Sequence, residues 1–204
     1  MQRQDNHEIF FDSTSKPWGI SFGEWTIRWW RWTFNIPKSR NPLVDSTGDH
    51  ANVNQGREVW FLAGKPADSE ARVPQRRCII PAGRAVLFPV INCEANKLEY
   101  PELDEIGLIN NVVAHMELII QKECFLDGNK IPVQRVRSDP EIFDIDINSE
   151  NIFDIPNGGK TMASADGYWV FLKPLKKGEH LIEFYGSCSS GSRFSGSKYL
   201  LTVS

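Results

Sequence analysis

Residues 167–185 read GYWVFLKPLKKGEHLIEFY, and this stretch decides the fold. Two runs rich in aromatic and β-branched residues, 167–172 and 179–185, flank a Pro174 to Gly178 connection, the pattern of two strands joined by a turn. Working outward, further short runs with a period near two lie at 58–63, 77–80, 84–91, 118–126, 130–136, 141–147 and 198–203, each bounded by Gly, Pro, Asp or Asn. Pro81-Ala82-Gly83, Asp127-Gly128-Asn129 and residues 174–178 are expected to close hairpins, so consecutive strands should pair antiparallel. Many short strands at this spacing predict a mainly β chain, an antiparallel β-sandwich or jelly-roll, with a closed barrel as the competing architecture.

Two segments break the period. In SFGEWTIRWWRWTFNIP, Phe22, Trp25, Trp29 and Trp32 recur at three and four, Ser21 and Glu24 have the spacing of a capping box, and Pro37 blocks continuation. A helix over about 21–36 follows. Leu103, Ile106, Ile109, Val113 and Met116 predict a second helix over about 102–117, inserted among the strands. Residues 1–20 read as a surface arm, weakly ordered at its start, and 37–57 as a long loop. No internal repeat or separating linker is present, so 1–204 is expected to form one domain, with the sandwich over 58–203.

The chain has 204 residues, 41% hydrophobic and 24% charged, which excludes disorder and fibrous repeats. A formal net charge of −3 supplies no field for a nucleic-acid backbone or an anionic membrane. No apolar run approaches the roughly 20 residues that span a bilayer. Residues 1–17 lack a leader's apolar core. A cytoplasmic location is expected, or an exported one with the leader already removed. Cys78, Cys93, Cys124 and Cys188 have no zinc-type spacing and read as reduced thiols, with Cys78 and Cys93 the pair worth testing. No metal or cofactor is implied.

WTIRWWRWTFNIPKSRNP, EVWFLAG, RRCIIPAGRAVLFPVIN and DGYWVFLKPLKKGEHLIEF together resemble an uncharacterised family of small microbial β-proteins over about 25–203. The resemblance implies a β fold and names no reaction; members often begin with an export leader. The closing segment, GYWVFLKPLKKGEHLIEFYG followed by the 199–203 run, is also similar to the last hairpin of immunoglobulin-like sandwiches.

Candidate site residues fall in three places. Trp25, Trp29 and Trp32 form either a stacking platform for a sugar, a flat ligand or a partner chain, or the helix's buried face, which helical spacing favours. Trp30 lies about 100° off that stripe, so it is expected to be partly exposed or to line a groove. FDIDINSEN alternates Asp144 and Asp146 with Ile145 and Ile147; calcium chemistry competes here with an amphipathic strand, but the glycine and closing glutamate of an EF-hand loop are missing. The apolar run 84–91 ends abruptly in Asn92-Cys93-Glu94, and Asp166 precedes another strand. If these ends meet, Glu94 and Asp166 could form an acid/base pair, with Arg77 or Arg137 holding an anionic group. The competing reading has Asp166 and Asn92 fixing turns and the arginines in surface ion pairs. His7, His50, His115 and His180 show no ligand spacing, and SCSSGSRFSG (187–196) lacks the lysine of a phosphate loop.

The expected function is binding of a small organic or carbohydrate-like ligand in a loop-covered pocket, by Trp30, Arg77, Asn92 and Arg137. One rival is an enzyme using Glu94 and Asp166. The other is a homo-oligomeric assembly protein.

Overall fold

The Ser21 hydroxyl accepts the Glu24 amide at 3.1 Å and so caps the first helix, α1 (Phe22–Asn35). In the computed structural model, which describes residues 9–68, 72–189 and 193–204, the elements that follow are β1 (Val59–Phe61), β2 (Lys65–Asp68), β3 (Gln75–Ile80), β4 (Ala85–Asn96), α2 (Glu105–Glu117), β5 (Ile119–Leu126), β6 (Asn129–Ile131), β7 (Gln134–Arg135), β8 (Phe143–Ile147), β9 (Gly159–Leu172), β10 (Gly178–Cys188) and β11 (Phe194–Val203).

The strands form two sheets, mostly antiparallel. The first runs β1-β4-β9-β7, with β8 also on β9; the second runs β2-β11-β10-β5-β6, with β3 also on β11. Phe88, Val90, Val170 and Leu172 of the first sheet meet Ile182, Phe184, Tyr199 and Leu201 of the second in one apolar core. The opposite face of the first sheet carries Ala165, Trp169 and Phe171, which pack with Phe22, Trp25, Trp29 and Trp32 of α1 in another. A β-sandwich with a helix over one face results, and α2 packs on β4 and β9 through Leu108, Val112 and Ala95. Among the described residues no helix is long and apolar enough to cross a membrane.

Both helices and the hairpins at 127–129 and between β10 and β11 agree with the sequence reading. Four pairings do not. Residues 81–83 and 174–178 are not hairpin turns: each carries the chain from one sheet to the other, β3 to β4 and β9 to β10. β1 pairs with β4, and β3 with β11, in parallel. Such turns look alike in sequence because the same residues reverse a chain whether the next strand joins its own sheet or the facing one. The expected strand over 130–136 is split between the sheets as β6 and β7, and β2 had no apolar pattern to announce it, since Lys65 to Asp68 is an edge strand bearing a proline.

The arm begins outside the described residues, as does His7. From residue 9 onward it is fastened rather than loose: Phe10 bridges to Leu172 and Phe11 N–H donates to Phe171 O at 2.8 Å. The tip of the 187–196 loop likewise falls outside the described residues at 190–192. In β8, Ile145 and Ile147 are buried while Asp144 and Asp146 face solvent, the amphipathic strand expected of alternation.

Candidate functional site

β1 is only three residues long, and its shortness creates the site. It pairs with Ala85 to Leu87 of β4, Leu62 N–H gives one more bond to Leu87 O at 3.0 Å, and the chain then leaves for the second sheet. That departure is pinned at Ala63, whose carbonyl accepts the Tyr199 hydroxyl at 2.9 Å and the buried Arg76 guanidinium, which also bonds Leu43 O at 3.0 Å. Beyond Leu87 no strand among the described residues pairs with this edge of β4. Pro89, with no N–H to offer, sits on the stretch with that free edge.

Immediately afterwards β4 bulges. Pro89 faces Trp169 and Ile91 faces Tyr168, leaving Val90 as the extra residue. The bulge reverses the alternation of the strand. Val86, Phe88 and Val90 face the second sheet, yet Asn92 and Glu94, paired with Gly167 and Ala165, lie on the α1 face. A side chain on Gly167 could not be accommodated, since its Cβ would lie 2.6 Å from Asn92 Cβ and 2.7 Å from Trp169 Nε1.

A cavity of about 320 Å³ occupies the free edge, lined by Trp29 and Trp30 of α1, Asn92 and Glu94 of β4, Glu99 and Tyr100 beyond it, Lys65 of β2 and Arg193 just before β11. Trp29 N–H is already satisfied by Leu62 O at 2.8 Å. Three other polar atoms in this lining are buried and have no hydrogen-bond partner: Trp30 Nε1, Asn92 Nδ2 and Glu94 Oε1. Buried polar groups are nearly always paired; of seven such unpaired atoms among the described residues, three belong to residues that line this one cavity. Trp30 is 4% exposed, so of the two expectations for it partial exposure fails, and it is found among the residues lining this cavity. Its ring stacks on Phe34 at 5.7 Å, and Phe34 meets Phe153 at 5.2 Å, so the outer side of α1 is covered as well as its sheet side. Ten of the fourteen residues of α1 are buried.

Glu94 Oε2 accepts the Asn96 amide at 3.4 Å, and the same nitrogen donates to Glu99 Oε2 at 2.5 Å. Asn96 Oδ1 accepts Leu98 and Glu99 backbone N–H groups at 2.9 and 3.1 Å, which fixes the amide with its nitrogen toward the two carboxyls. Burial, with Glu99 adding to it, holds Glu94 well above the ordinary carboxyl range. Burial also raises Glu99, against the pull of the Asn96 amide. Cys93 sits beside them, but burial pushes its thiol up to about 12, which disqualifies it as a nucleophile at neutral pH. All four cysteines are free, and the Cys78 and Cys93 pair is not joined; Cys78 is on β3 of the second sheet.

The remaining expected residues lie elsewhere. Asp166 faces Cys93 across the β4 and β9 register, on the opposite side of the sheet from Glu94, so the two carboxylates are not a pair. Its side chain is fully buried and saturated: Arg135 Nη2 and Nε reach Oδ2 at 2.7 and 3.1 Å, and Gly167 N–H reaches Oδ1 at 2.7 Å. Arg135, not Arg137, is the arginine that holds a carboxylate there; Arg137 makes a half-exposed ion pair with Glu141 at 2.9 Å. Arg77 is exposed on β3, in an open groove of about 810 Å³ on the second sheet. Among the described residues, no side chain lining that groove has a buried unpaired polar atom. Three of the six candidates, Trp30, Asn92 and Glu94, therefore share one site. Glu99 was not anticipated; the Asn96-Lys97-Leu98-Glu99 turn after the strand end was the available signal.

Compared with known proteins, the chain matches no family model, and no curated protein or solved structure is significantly similar to it.

Proposed function

We propose that the chain binds a small neutral molecule rich in hydroxyl groups, of monosaccharide size, at the free edge of β4. One observation carries the reading: Trp30, Asn92 and Glu94 line one cavity, and each carries a buried polar atom without a partner, Nε1, Nδ2 and Oε1 respectively. Two are donors and the third is a carboxyl oxygen, a combination that matches hydroxyl groups, which both donate and accept. Trp29, Trp30 and Tyr100 supply apolar walls for the C–H faces of a sugar ring. The volume is near the lower end of small-molecule sites, roughly 300 to 1,000 Å³. No fixed anion or cation is needed in such a ligand, because the two orphan donors are uncharged.

Thermal denaturation against a panel of free monosaccharides tests this. A sugar held at about 100 times its Kd adds about 2.7 kcal/mol to the native state, which is roughly 5 to 10 °C for a chain of this length. Trp30→Phe keeps the ring and removes the N–H, and Asn92→Ala removes the amide; each should weaken binding about five- to tenfold, the worth of one hydrogen bond. A panel in which no sugar moves the midpoint, or in which both variants bind as the wild type does, rejects the proposal.

A further inference from the structure

We propose that the sugar held at the free edge of β4 is an N-acylated amino sugar, its secondary amide bonded to Trp30, Asn92 and Glu94. The inference rests on sugar binding at the same place and names the class of sugar. The buried atoms without partners on these three cavity-lining residues are two donors, Trp30 Nε1 and Asn92 Nδ2, and one carboxyl oxygen, Glu94 Oε1. A secondary amide is their complement. Its carbonyl oxygen has two lone pairs for the two donors, and its single N–H is left for the carboxyl, which keeps accepting capacity whether or not it holds a proton.

Spacing separates this group from a lone hydroxyl. Asn92 and Glu94 face Gly167 and Ala165 in unbroken register, two residues apart on one side of β4, which sets their Cα atoms roughly 6.6 Å from each other. Side chains stand nearly perpendicular to a sheet, so the polar ends keep that separation. Glu94 also turns its other carboxyl oxygen to the amide of Asn96, the next residue along that face and the one farther from Asn92. Two partners of one hydroxyl, each about 2.8 Å from its oxygen, are only about 4.6 Å from each other at a tetrahedral angle. In a trans amide the oxygen and the N–H point to opposite sides, so their partners lie roughly 7 to 8 Å apart. Two vicinal hydroxyls cover a similar span only through a bond between themselves, bent to about 110°, where such bonds are weak. The acyl methyl has a seat as well. Leu43 and Phe153 belong to the same lining, and Phe153 joins Trp30 through Phe34, with ring separations of 5.2 and 5.7 Å, so apolar surface continues outward from the indole.

Changes to the ligand test this without touching the fold. N-acetylglucosamine, N-acetylgalactosamine and N-acetylmannosamine are titrated calorimetrically against the full wild-type chain, beside glucose, galactose and mannose. The best N-acetylated sugar should bind about tenfold more tightly than its parent hexose, the worth of one hydrogen bond and a buried methyl. Methylating its amide nitrogen removes the N–H meant for Glu94 and should abolish that gain; a methylated sugar that binds as well as the unmethylated one overturns the bond to Glu94. Trp30→Phe and Asn92→Ala, each first shown to melt cooperatively, should narrow the preference to about threefold or less. A preference that both variants leave unchanged places the amide elsewhere and overturns the proposal. A parent hexose that binds within about twofold of its N-acetylated counterpart overturns the amide and leaves sugar binding standing. Absence of binding by every sugar overturns both. N-acetylalanine methylamide carries the amide without a sugar and should not bind; binding as tight as that of the best sugar overturns the choice of a sugar.

Discussion

Glu94 and Asp166 sit one register position apart on neighbouring strands, on opposite faces of one sheet, with opposite fates. Asp166 is held by two guanidinium nitrogens and a backbone N–H and has nothing left to offer. Glu94 has one weak amide bond and an oxygen with no partner. Burial is common to both, so burial does not make a site. Unspent hydrogen-bonding capacity beside a cavity is what supports the proposal at Glu94. The same contrast separates two arginines that are two residues apart: Arg135 on β7 reaches Asp166, while Arg137 stands half in solvent beside Glu141.

Three substitutions put that contrast at risk. The largest effect should come from Asp166→Ala, which takes the buried carboxylate from a guanidinium that is 30% exposed and keeps only the exposed Glu117 as a carboxylate partner, and leaves Gly167 N–H without its acceptor. A loss of about 3 kcal/mol in urea unfolding is expected, the lower end of the range for breaking a buried pair. A loss under about 1 kcal/mol would mean that the ion pair is decoration, and that the two faces differ less than their geometry implies.

Glu94→Gln should act in the other direction, and only above acidic pH. The folded chain keeps the Glu94 proton after the unfolded chain, near its ordinary value of about 4.3, has lost it. The unfolded state therefore binds fewer protons across that interval, and wild-type stability falls as pH rises from there to the raised folded value, then levels. Glutamine removes this dependence. Urea midpoints should coincide near pH 4 and favour the variant at pH 8. Curves that stay parallel across that range would show that Glu94 is ionised in the fold, placing it with Asp166 after all.

Arg137→Ala should change least. Both members of its ion pair are about half exposed, with side chains at 50% and 52%, and such pairs contribute well under 1 kcal/mol. A shift below about 0.5 kcal/mol in the urea midpoint is expected; a larger one would give this arginine a structural role that its single partner does not explain.

Much of the fold was legible because its signals are local. Ser21 with Glu24 places the start of α1, and its cap bond is present; α2 starts at Glu105, a few residues after the expected 102, with Asp104 as its cap. Alternation in FDIDI set which side chains of β8 are buried. Part of the site was legible too, since a strand that runs apolar and then ends in Asn92-Cys93-Glu94 shows where polar groups enter the interior. Glu99 escaped because its role depends on Asn96 folding back over a turn.

What the amino-acid sequence determined by itself is most of the elements, β2 and the division of β6 from β7 excepted, and, within regular strands, which residues alternate together. It did not determine which way Asn92 and Glu94 face. Unbroken alternation from Val86, Phe88 and Val90 would have turned both toward the second sheet; the extra residue at Val90 turns them toward α1 and Trp30. Where a bulge falls depends on the partner strand's register, a contact between residues nearly eighty positions apart. Only the assembled sheet could put Glu94 with the tryptophans and leave Asp166 to Arg135.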